Sequence, residues 1–461
     1  MQGYAAAKAY WAFWRNPIHA MTELYRNHGR FVAVERIFAF QKDQLDVLLV
    51  DPRYNRIVLS DTDTFHTGGL TVKGREGSVI RRLRNGVASI NGEEHAHYRK
   101  LMLPPFRRKN VDELLPRIRA IVQAEIETWP IGQTVDLWKL SQALMQRLAI
   151  GVLFLGCNED GDDVYELAAL INQYFRLSAS LGVRLLPINL RGTSYYRLNK
   201  LGEKIEVIAK AILDKKSAPE ADQDLISILV GAKDRDGNTP PMDKIIPHLV
   251  QLFGGSYETS QTSMFWTLIL LTQFPDAYRR IVEAGRATQA ANEKDRQGEY
   301  LDWVIKESLR LFPPVPFQRR IVSRSTSSLG MALEKGSYVF LPVFLTNRDP
   351  AVYSNPNAFL PTRWSSFNPS QFEFQTFSAG PRTCIGAWFA TVALKVAIAE
   401  VASRFHIEIQ PRTRIRVDAY ASIAMSPRDA VPAILSHNVG DYRASEIRGN
   451  AMKMFERPSG R

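Results

Sequence analysis

Between Glu93 and Leu311, apolar residues recur three and four positions apart, which puts them on one face of a helix and predicts a largely helical middle. Prolines and glycines interrupt that rhythm, as in "LLPINLRG" and "RDGNTPPMDK", so the segment reads as several helices. The flanks differ. "RFVAVERIFAF" and "LDVLLV" are short β-branched runs bounded by polar residues and predict strands of a small sheet. A short helix is expected near Pro17–Asn27. After Leu311, "FPPVPFQRRIVSRSTSSLGMALEKGSYVFLP" mixes strands and loops. A further helix pattern begins close to Cys384 and continues to about Phe405, and "RVDAYASIAMSPRDAVPAIL" reads as a terminal strand hairpin. Residues 437–461 are polar and basic and read as a mobile tail. No repeat, low-complexity block or Gly/Ser linker divides the chain. The expectation is one domain over 1–461, mainly α with a minor β region. Its β-rich parts fall at about 30–65, 312–345 and 405–436, and its helical parts at about 93–311 and 384–405.

Composition narrows the function. With 45% hydrophobic residues the chain can bury a large core. Its 2 cysteines exclude a disulfide framework and any four-thiolate metal site. The 59 basic residues exceed the 47 acidic ones, giving +12, which favours an anionic partner. Zinc-finger spacing, aromatic RNA-binding signatures and long Lys/Arg runs are missing, so nucleic acid is not the expected partner. Lys8 and Arg15 interrupt the N-terminal "MQGYAAAKAYWAFWRNPIHA", and the longest apolar run, Met264–Phe274, is too short to span a bilayer. A cytoplasmic protein without a transmembrane anchor is expected, with Trp11, Phe13 and Trp14 packed on its body.

The scarce cysteine Cys384 lies in "FSAGPRTCIG", Phe377 to Gly386. A thiolate ligates soft and borderline metals, and positive charge and a helix N-terminus favour it. Arg382 stands two residues before Cys384, and a helical pattern follows. Gly380 and Gly386 let backbone pass close to something flat, and Phe377 can shield one side from water. These pieces suit a single thiolate on haem iron. A buried structural cysteine beside a helix start accounts for Cys384 alone equally well.

The segment matches, at every fixed position, the signature Phe-x-x-Gly-x-Arg-x-Cys-x-Gly, and so resembles the cytochrome P450 family of haem-thiolate monooxygenases. The resemblance spans about Pro17 to Leu435 and implies a triangular, helix-rich prism around a buried haem. It implies Cys384 as the iron ligand, Phe377 and Gly386 against the cofactor, and Arg382 on a propionate.

Other elements fall in the family's order. Glu307 and Arg310 in "DWVIKESLRLFPP" are three apart and share a helix face. With Arg363 of "FLPTRW" they resemble the family's buried support network, though Asn347 stands where histidine is common. In "NGEEHAHYRKLMLPPF", His95 and Arg99 are four apart and face one way. The resemblance makes them propionate donors, with Arg320 of "FQRRIVS" a third. In "LFGGSYETSQTS" the Gly254–Gly255 pair suggests a distortion or close approach, and Glu258–Thr259 resembles the family's acid–alcohol pair, with Ser256 replacing a usual glycine. By analogy Phe253, Tyr257, Val315, Phe317 and Ile423 line an apolar substrate pocket, and parts of 66–85 and 174–186 form its lid.

The resemblance implies haem b, O2 as co-substrate, and electrons ultimately from NAD(P)H. It implies insertion of one oxygen atom into a hydrophobic small molecule, as in secondary metabolism, by a monomer. The roughly 75 residues after Cys384 are too few for a fused reductase, so a separate acidic ferredoxin or flavodoxin with its reductase is expected. Arg99, Lys100, Arg107, Arg108 and Lys109 are its candidate docking cations. The alternatives are a peroxide-driven oxygenase, an isomerase or a non-catalytic haem sensor.

Overall fold

Helix Met242–Gln273 carries apolar residues all round its second half, the pattern of a helix surrounded by protein. Phe265, Trp266, Leu268 and Ile269 are fully buried. Its 32 residues span about 48 Å at 1.5 Å per residue. Around this long helix pack the helices Leu137–Ala149, Asp162–Ala179, Arg296–Leu311 and Ala387–Arg404. The structure is a computed structural model; it describes residues 1–36, 44–69, 71–154, 162–215, 224–234, 236–290, 296–418, 424–437, 440 and 442–456.

Strands β1 (Phe31–Glu35), β2 (Leu45–Leu49) and β3 (Phe65–Thr67) precede the helical body. β4 (Thr134–Asp136) lies within it, and β5 (Gln318–Val322) and β6 (Tyr338–Leu341) follow it. One sheet has the order β1-β2-β6-β5-β3. Only β2 and β6 run parallel in it, and Thr67 of β3 stands opposite Arg320 of β5. After the helix Ala387–Arg404 come β7 (Phe405–Ile409), β8 (Thr413–Arg414), β9 (Val417–Asp418), β10 (Ser426–Pro427), β11 (Pro432–His437) and β12 (Ile447–Arg448). β11 pairs with β4 and β7, and β9 with β10 forms the hairpin read from sequence.

The principal core lies among the helices. A second, built on Val47, Phe65 and Val339, lies under the five-stranded sheet. A third joins that sheet to the N-terminal helices Gly3–Arg15 and Pro17–His28. The mainly α fold with a minor β region is therefore observed, with differences in detail. Helix Pro52–Ser60 interrupts the β-rich first part, started by an Asp51 side chain that accepts from the Arg53 N–H at 2.8 Å. Phe13 packs on Phe317 and Phe340, whereas Trp11 remains 67% exposed. Of the expected 437–461 tail, 457–461 lie outside the described residues, but described residues 442–456 are packed: β12 pairs with β8, and Tyr442, Ile447, Ala451 and Phe455 are buried in the principal core. Apolar anchors too few to show a period hold this segment. Among the described residues no helix is long and apolar enough to cross a membrane.

Candidate functional site

Cys384 sits at the end of a tight loop. Gly380 adopts φ +68°, and a Cβ there would lie 2.4 Å from the Leu59 carbonyl oxygen. The close neighbour that demands glycine is thus the backbone of helix Pro52–Ser60, not something flat in the site. The Cys384 N–H donates to the Phe377 carbonyl at 2.8 Å, and helix Ala387–Arg404 begins three residues later. Burial pushes the Cys384 thiol up from its ordinary pKa, while a Gly386 N–H and the Arg99 charge favour the thiolate.

The thiol opens into a cavity of about 380 Å³, which Phe377, Gly386 and Phe389 also line. His95, Arg99, Arg320 and Arg382 line it too. Arg99 Nη2 donates to the Thr383 carbonyl at 2.6 Å. Arg382 Nη2 donates to Asn91 Oδ1 at 2.9 Å and to the Ile90 carbonyl, while its buried Nε has no partner. Arg320 lies along its own strand, reaching Gln318 Oε1 at 3.1 Å. Desolvation, then the Arg382 charge, pushes Arg320 down to about 10. Desolvation, then Arg99, does the same to Arg382. Desolvation and these two arginines lower His95 to about 4. Among the described residues no carboxylate lines the cavity. Packed cations without a counter-charge require an anionic ligand. The propionates of a haem whose iron meets Cys384 satisfy both the cations and the thiol, so the residues fit that group.

The same cavity is lined from the long helix by Gln251, Gly255, Thr259 and Ser263, four apart, and beside them by Leu252, Ser256 and Ser260. Thr259 Oγ1 donates to the Gly255 carbonyl at 3.1 Å. A Cβ on Gly254 would lie 2.2 Å from Phe175, whereas one on Gly255 would meet nothing within 4 Å. Gly254 therefore admits a neighbouring helix, and Gly255 leaves the cavity open.

Several expected pocket residues face elsewhere. Phe253 stacks on Phe154 with ring centroids 3.7 Å apart, and Tyr257 is 1% exposed; neither lines the cavity. They lie one or two positions out of phase with the Gln251–Ser263 stripe. Phe317 packs against Phe13 and Phe340 in the sheet-side core, while Val315 does line the cavity. Glu258 is half-buried on the flank of the long helix and does not line the cavity. Ile423 lies outside the described residues.

Gln251 was not anticipated. Its Oε1 accepts from the Ala88 N–H at 2.7 Å, and its Nε2 donates to the Arg84 carbonyl at 2.6 Å and to Ser89 Oγ at 3.1 Å. This fastens cavity-lining Val87 and Ala88 to the long helix. A small and polar stripe on an otherwise apolar helix was the available signal.

Behind the cysteine loop, Glu307 and Arg310 are fully buried and paired twice, at 2.8 and 2.9 Å. Glu307 also accepts from Arg363 Nε at 3.0 Å, the Leu360 N–H at 2.9 Å and Trp364 Nε1 at 3.0 Å. Arg310 donates onward to the carbonyls of Asn347, Pro356 and Ala358. Asn347 takes the Gln375 N–H at 3.1 Å and reaches Thr376 Oγ1 at 3.3 Å, joining the network to the segment before the cysteine loop.

The cytochrome P450 family model matches residues 10–430. This chain belongs to the cytochrome P450 family. It is 28% identical over 316 residues to a Mycobacterium tuberculosis protein described as cytochrome P450 137, a match covering 64% of this chain and 62% of that protein. Cytochrome P450 72A15 of Arabidopsis thaliana is 27% identical over 360 residues, covering 71% of this chain and 69% of that protein. Among solved structures, the retinoic acid-bound cyanobacterial CYP120A1 superposes with a TM-score of 0.74 at 22% identity, over 90% of this chain and 94% of that one.

Proposed function

We propose that this chain is an O2-dependent haem-thiolate monooxygenase that oxidises a hydrophobic small molecule, with electrons from a separate acidic carrier. The observation carrying this reading is one cavity lined by Cys384, by the hydroxyl-bearing residues Ser256, Thr259, Ser260 and Ser263 of the long helix, and by Arg99, Arg320 and Arg382 with no carboxylate among them, His95 beside them being neutral.

When bound, haem supplies oxygen activation and substrate oxidation. The chain's own residues do the rest. Cys384 ligates iron, with the Gly386 N–H stabilising negative charge on sulfur. Arg99, Arg320, Arg382 and His95 anchor the propionates. Thr259 gives up its bond to the Gly255 carbonyl to direct its hydroxyl into the groove that Gly255 leaves open. Glu258, set beside that groove, passes protons to Thr259 through water. Lys100 and Arg107 are exposed and carry the steering charge for the electron donor. Arg108 lies over the Trp388 ring at 4.4 Å and 3.8 Å from Asp112, and Lys109 lies 3.9 Å from Glu113, so their charges are partly compensated.

The test has two arms. Reduced protein with carbon monoxide should give the red-shifted Soret absorption of sulfur-ligated haem, and Cys384→Ser should lose it. Thr259→Ala, supplied with a ferredoxin and reductase, should consume electrons at a similar rate but make several-fold less product per electron. Turnover with peroxide but none with a ferredoxin–reductase pair, or coupling unchanged in Thr259→Ala, overturns the O2-dependent reading.

A further inference from the structure

Two arginines near the cavity take no part in the haem site described above. Arg84 ends helix Val79–Arg84, three residues before Val87 of the cavity wall. Arg319 lies in β5 between Gln318 and Arg320, both of which line the cavity. Strand neighbours point to opposite faces, so Arg319 turns away from the haem side towards Tyr338, its guanidinium 4.8 Å from that ring. There β3 has ended: Thr67 pairs with Arg320, and the residue abreast of Arg319 is Gly68.

The Gly68–Gly69 turn sits between the two guanidiniums. A Cβ on Gly68 would lie 3.4 Å from Arg319 Nη2, and one on Gly69 would lie 2.7 Å from Arg84 Nε. Gly69 also adopts φ +78°, so a side chain is disfavoured there on two grounds, whereas Gly68 is only in close contact with Arg319. Thr67, one residue earlier, already faces the cavity. The turn that follows Thr67 directly is therefore the link between the cavity wall and the two guanidiniums, neither of which itself lines the cavity.

Among the described residues neither arginine has a carboxylate partner. Arg84 donates to the Gly68 carbonyl, and its buried Nε has no acceptor. Among the described residues Arg319 has no hydrogen-bond or ion-pair partner; its guanidinium lies over the Tyr338 ring, which it shares with Arg36. The surrounding charge is mostly positive. Desolvation, then Arg319 and Arg81, lowers the Arg84 pKa, while Arg184 and Arg36 add to the desolvation that lowers Arg319. The nearby carboxylate, Asp46, is already engaged by Arg36 at 2.6 Å and by the Tyr10 hydroxyl at 2.6 Å. Like charges held together around an unused buried donor are stabilised by an oxyanion.

We propose that Arg84 and Arg319, flanking the Gly68–Gly69 turn at the cavity rim, bind the oxyanion head of an amphipathic substrate whose apolar body lies in the cavity. The head is a carboxylate or a phosphate; an alcohol lacks the charge that the site selects. This deepens the monooxygenase reading by naming the substrate class, and it rests on that reading only for what happens at the far end of the molecule.

The test is binding to the haem-loaded protein, followed by calorimetry and by the ferric Soret shift. The probes are sodium dodecanoate, dodecyl phosphate and 1-dodecanol, each below its aggregation limit. Wild type should bind dodecanoate or dodecyl phosphate about tenfold tighter than dodecanol, the scale of one charge-assisted hydrogen-bond pair. Arg84→Gln and Arg319→Gln should each reduce that preference, and the double variant should abolish it with little change in dodecanol affinity. Arg191→Gln, on the exposed surface, should leave the preference intact. Whichever anion binds tighter assigns the head group. Equal affinity of wild type for anion and alcohol, or a preference surviving in the double variant, overturns the proposal. The carbon monoxide spectrum, taken on every variant, separates this outcome from loss of the thiolate site, and calorimetry needs no turnover.

Discussion

His248 shows what burial costs a single side chain. It is 1% exposed, its ring lies 3.9 Å from that of Tyr98, and its Nδ1 has no partner among the described residues. Desolvation first, then Lys244, lowers it to about 3. An unfolded histidine titrates near 6.5, so below about pH 6.5 the unfolded chain takes up a proton that the folded chain refuses. The contribution is fully present above about pH 6.5 and declines as pH falls towards about 3, by a few kcal/mol in all. His95, lowered to about 4, acts with the same sign until propionates occupy its surroundings. Urea midpoints of the holoprotein should therefore fall between pH 7 and pH 4.5, and His248→Phe should show a visibly shallower fall. An equal fall in both proteins would exclude His248 as a contributor. Residue chemistry was legible in sequence where chemistry dictates identity. The Phe377–Gly386 segment is readable because few residue sets could flank a ligating thiol. The pocket was less legible, because Phe253 and Tyr257 are the aromatic types that suit binding, yet helix phase decides which way they face. Gln251 carries no chemical signature at all; its role emerges only when residues 84–89 fold against it.

At the scale of elements, the long helix is built from two different glycine requirements. Gly254 exists because Phe175 of helix Asp162–Ala179 occupies the space a Cβ would need, at 2.2 Å. Gly255 has no such neighbour and faces the cavity. In a bare helix either glycine-to-alanine change would stabilise by roughly 1 kcal/mol. Here they should part. Gly254→Ala forces two packed helices apart and should destabilise by about 1–3 kcal/mol despite its better propensity. Gly255→Ala should be neutral or stabilising by up to about 1 kcal/mol, while reducing the room beside Thr259 and weakening ligand binding. Thermal unfolding of both variants, with ligand titration of the second, checks the pair; matching changes in stability would refute the distinction. The sequence suggested a distortion or close approach at these glycines but could not say which glycine met what, since Phe175 lies about 80 positions away in the chain. The same limit applies to the C-terminal segment. Its anchors are Ile447 and the short run Ala451–Phe455, too brief to show a period, and β8 and the principal core give them partners.

Over the whole molecule, buried charge holds the site together, and the proposed electron carrier gives the surface charge a role. Glu307 answers Arg310 and Arg363 at once, with Trp364 Nε1 and the Leu360 N–H completing its shell. Glu307→Gln leaves a fully buried Arg310 without its counter-charge, a change that costs about 3–5 kcal/mol. That is a large part of a typical folding stability of roughly 5–15 kcal/mol. Because Asn347 links this network to Gln375 and Thr376 before the cysteine loop, haem retention on gel filtration should fall together with the urea midpoint; full haem content in a destabilised variant would disconnect the two. The surface makes the complementary case. A net charge of +12 would attract the proposed acidic electron carrier from a distance, but only charges left uncompensated near the cysteine side would also orient it. Arg108 and Lys109 share their charge with Asp112 and Glu113, so Lys100 and Arg107 should dominate. Exposed charges are screened over about 10 Å at 0.1 M salt. The second-order rate of reduction by an acidic ferredoxin should therefore fall at least about tenfold from low to physiological salt. Lys100→Glu and Arg107→Glu should lower the low-salt rate and flatten its salt dependence while leaving ligand affinity unchanged, because neither side chain lines the cavity. A rate indifferent to salt in stopped-flow mixing would mean that the carrier docks without this charge. A salt slope unchanged in both variants would place the steering elsewhere on the basic surface.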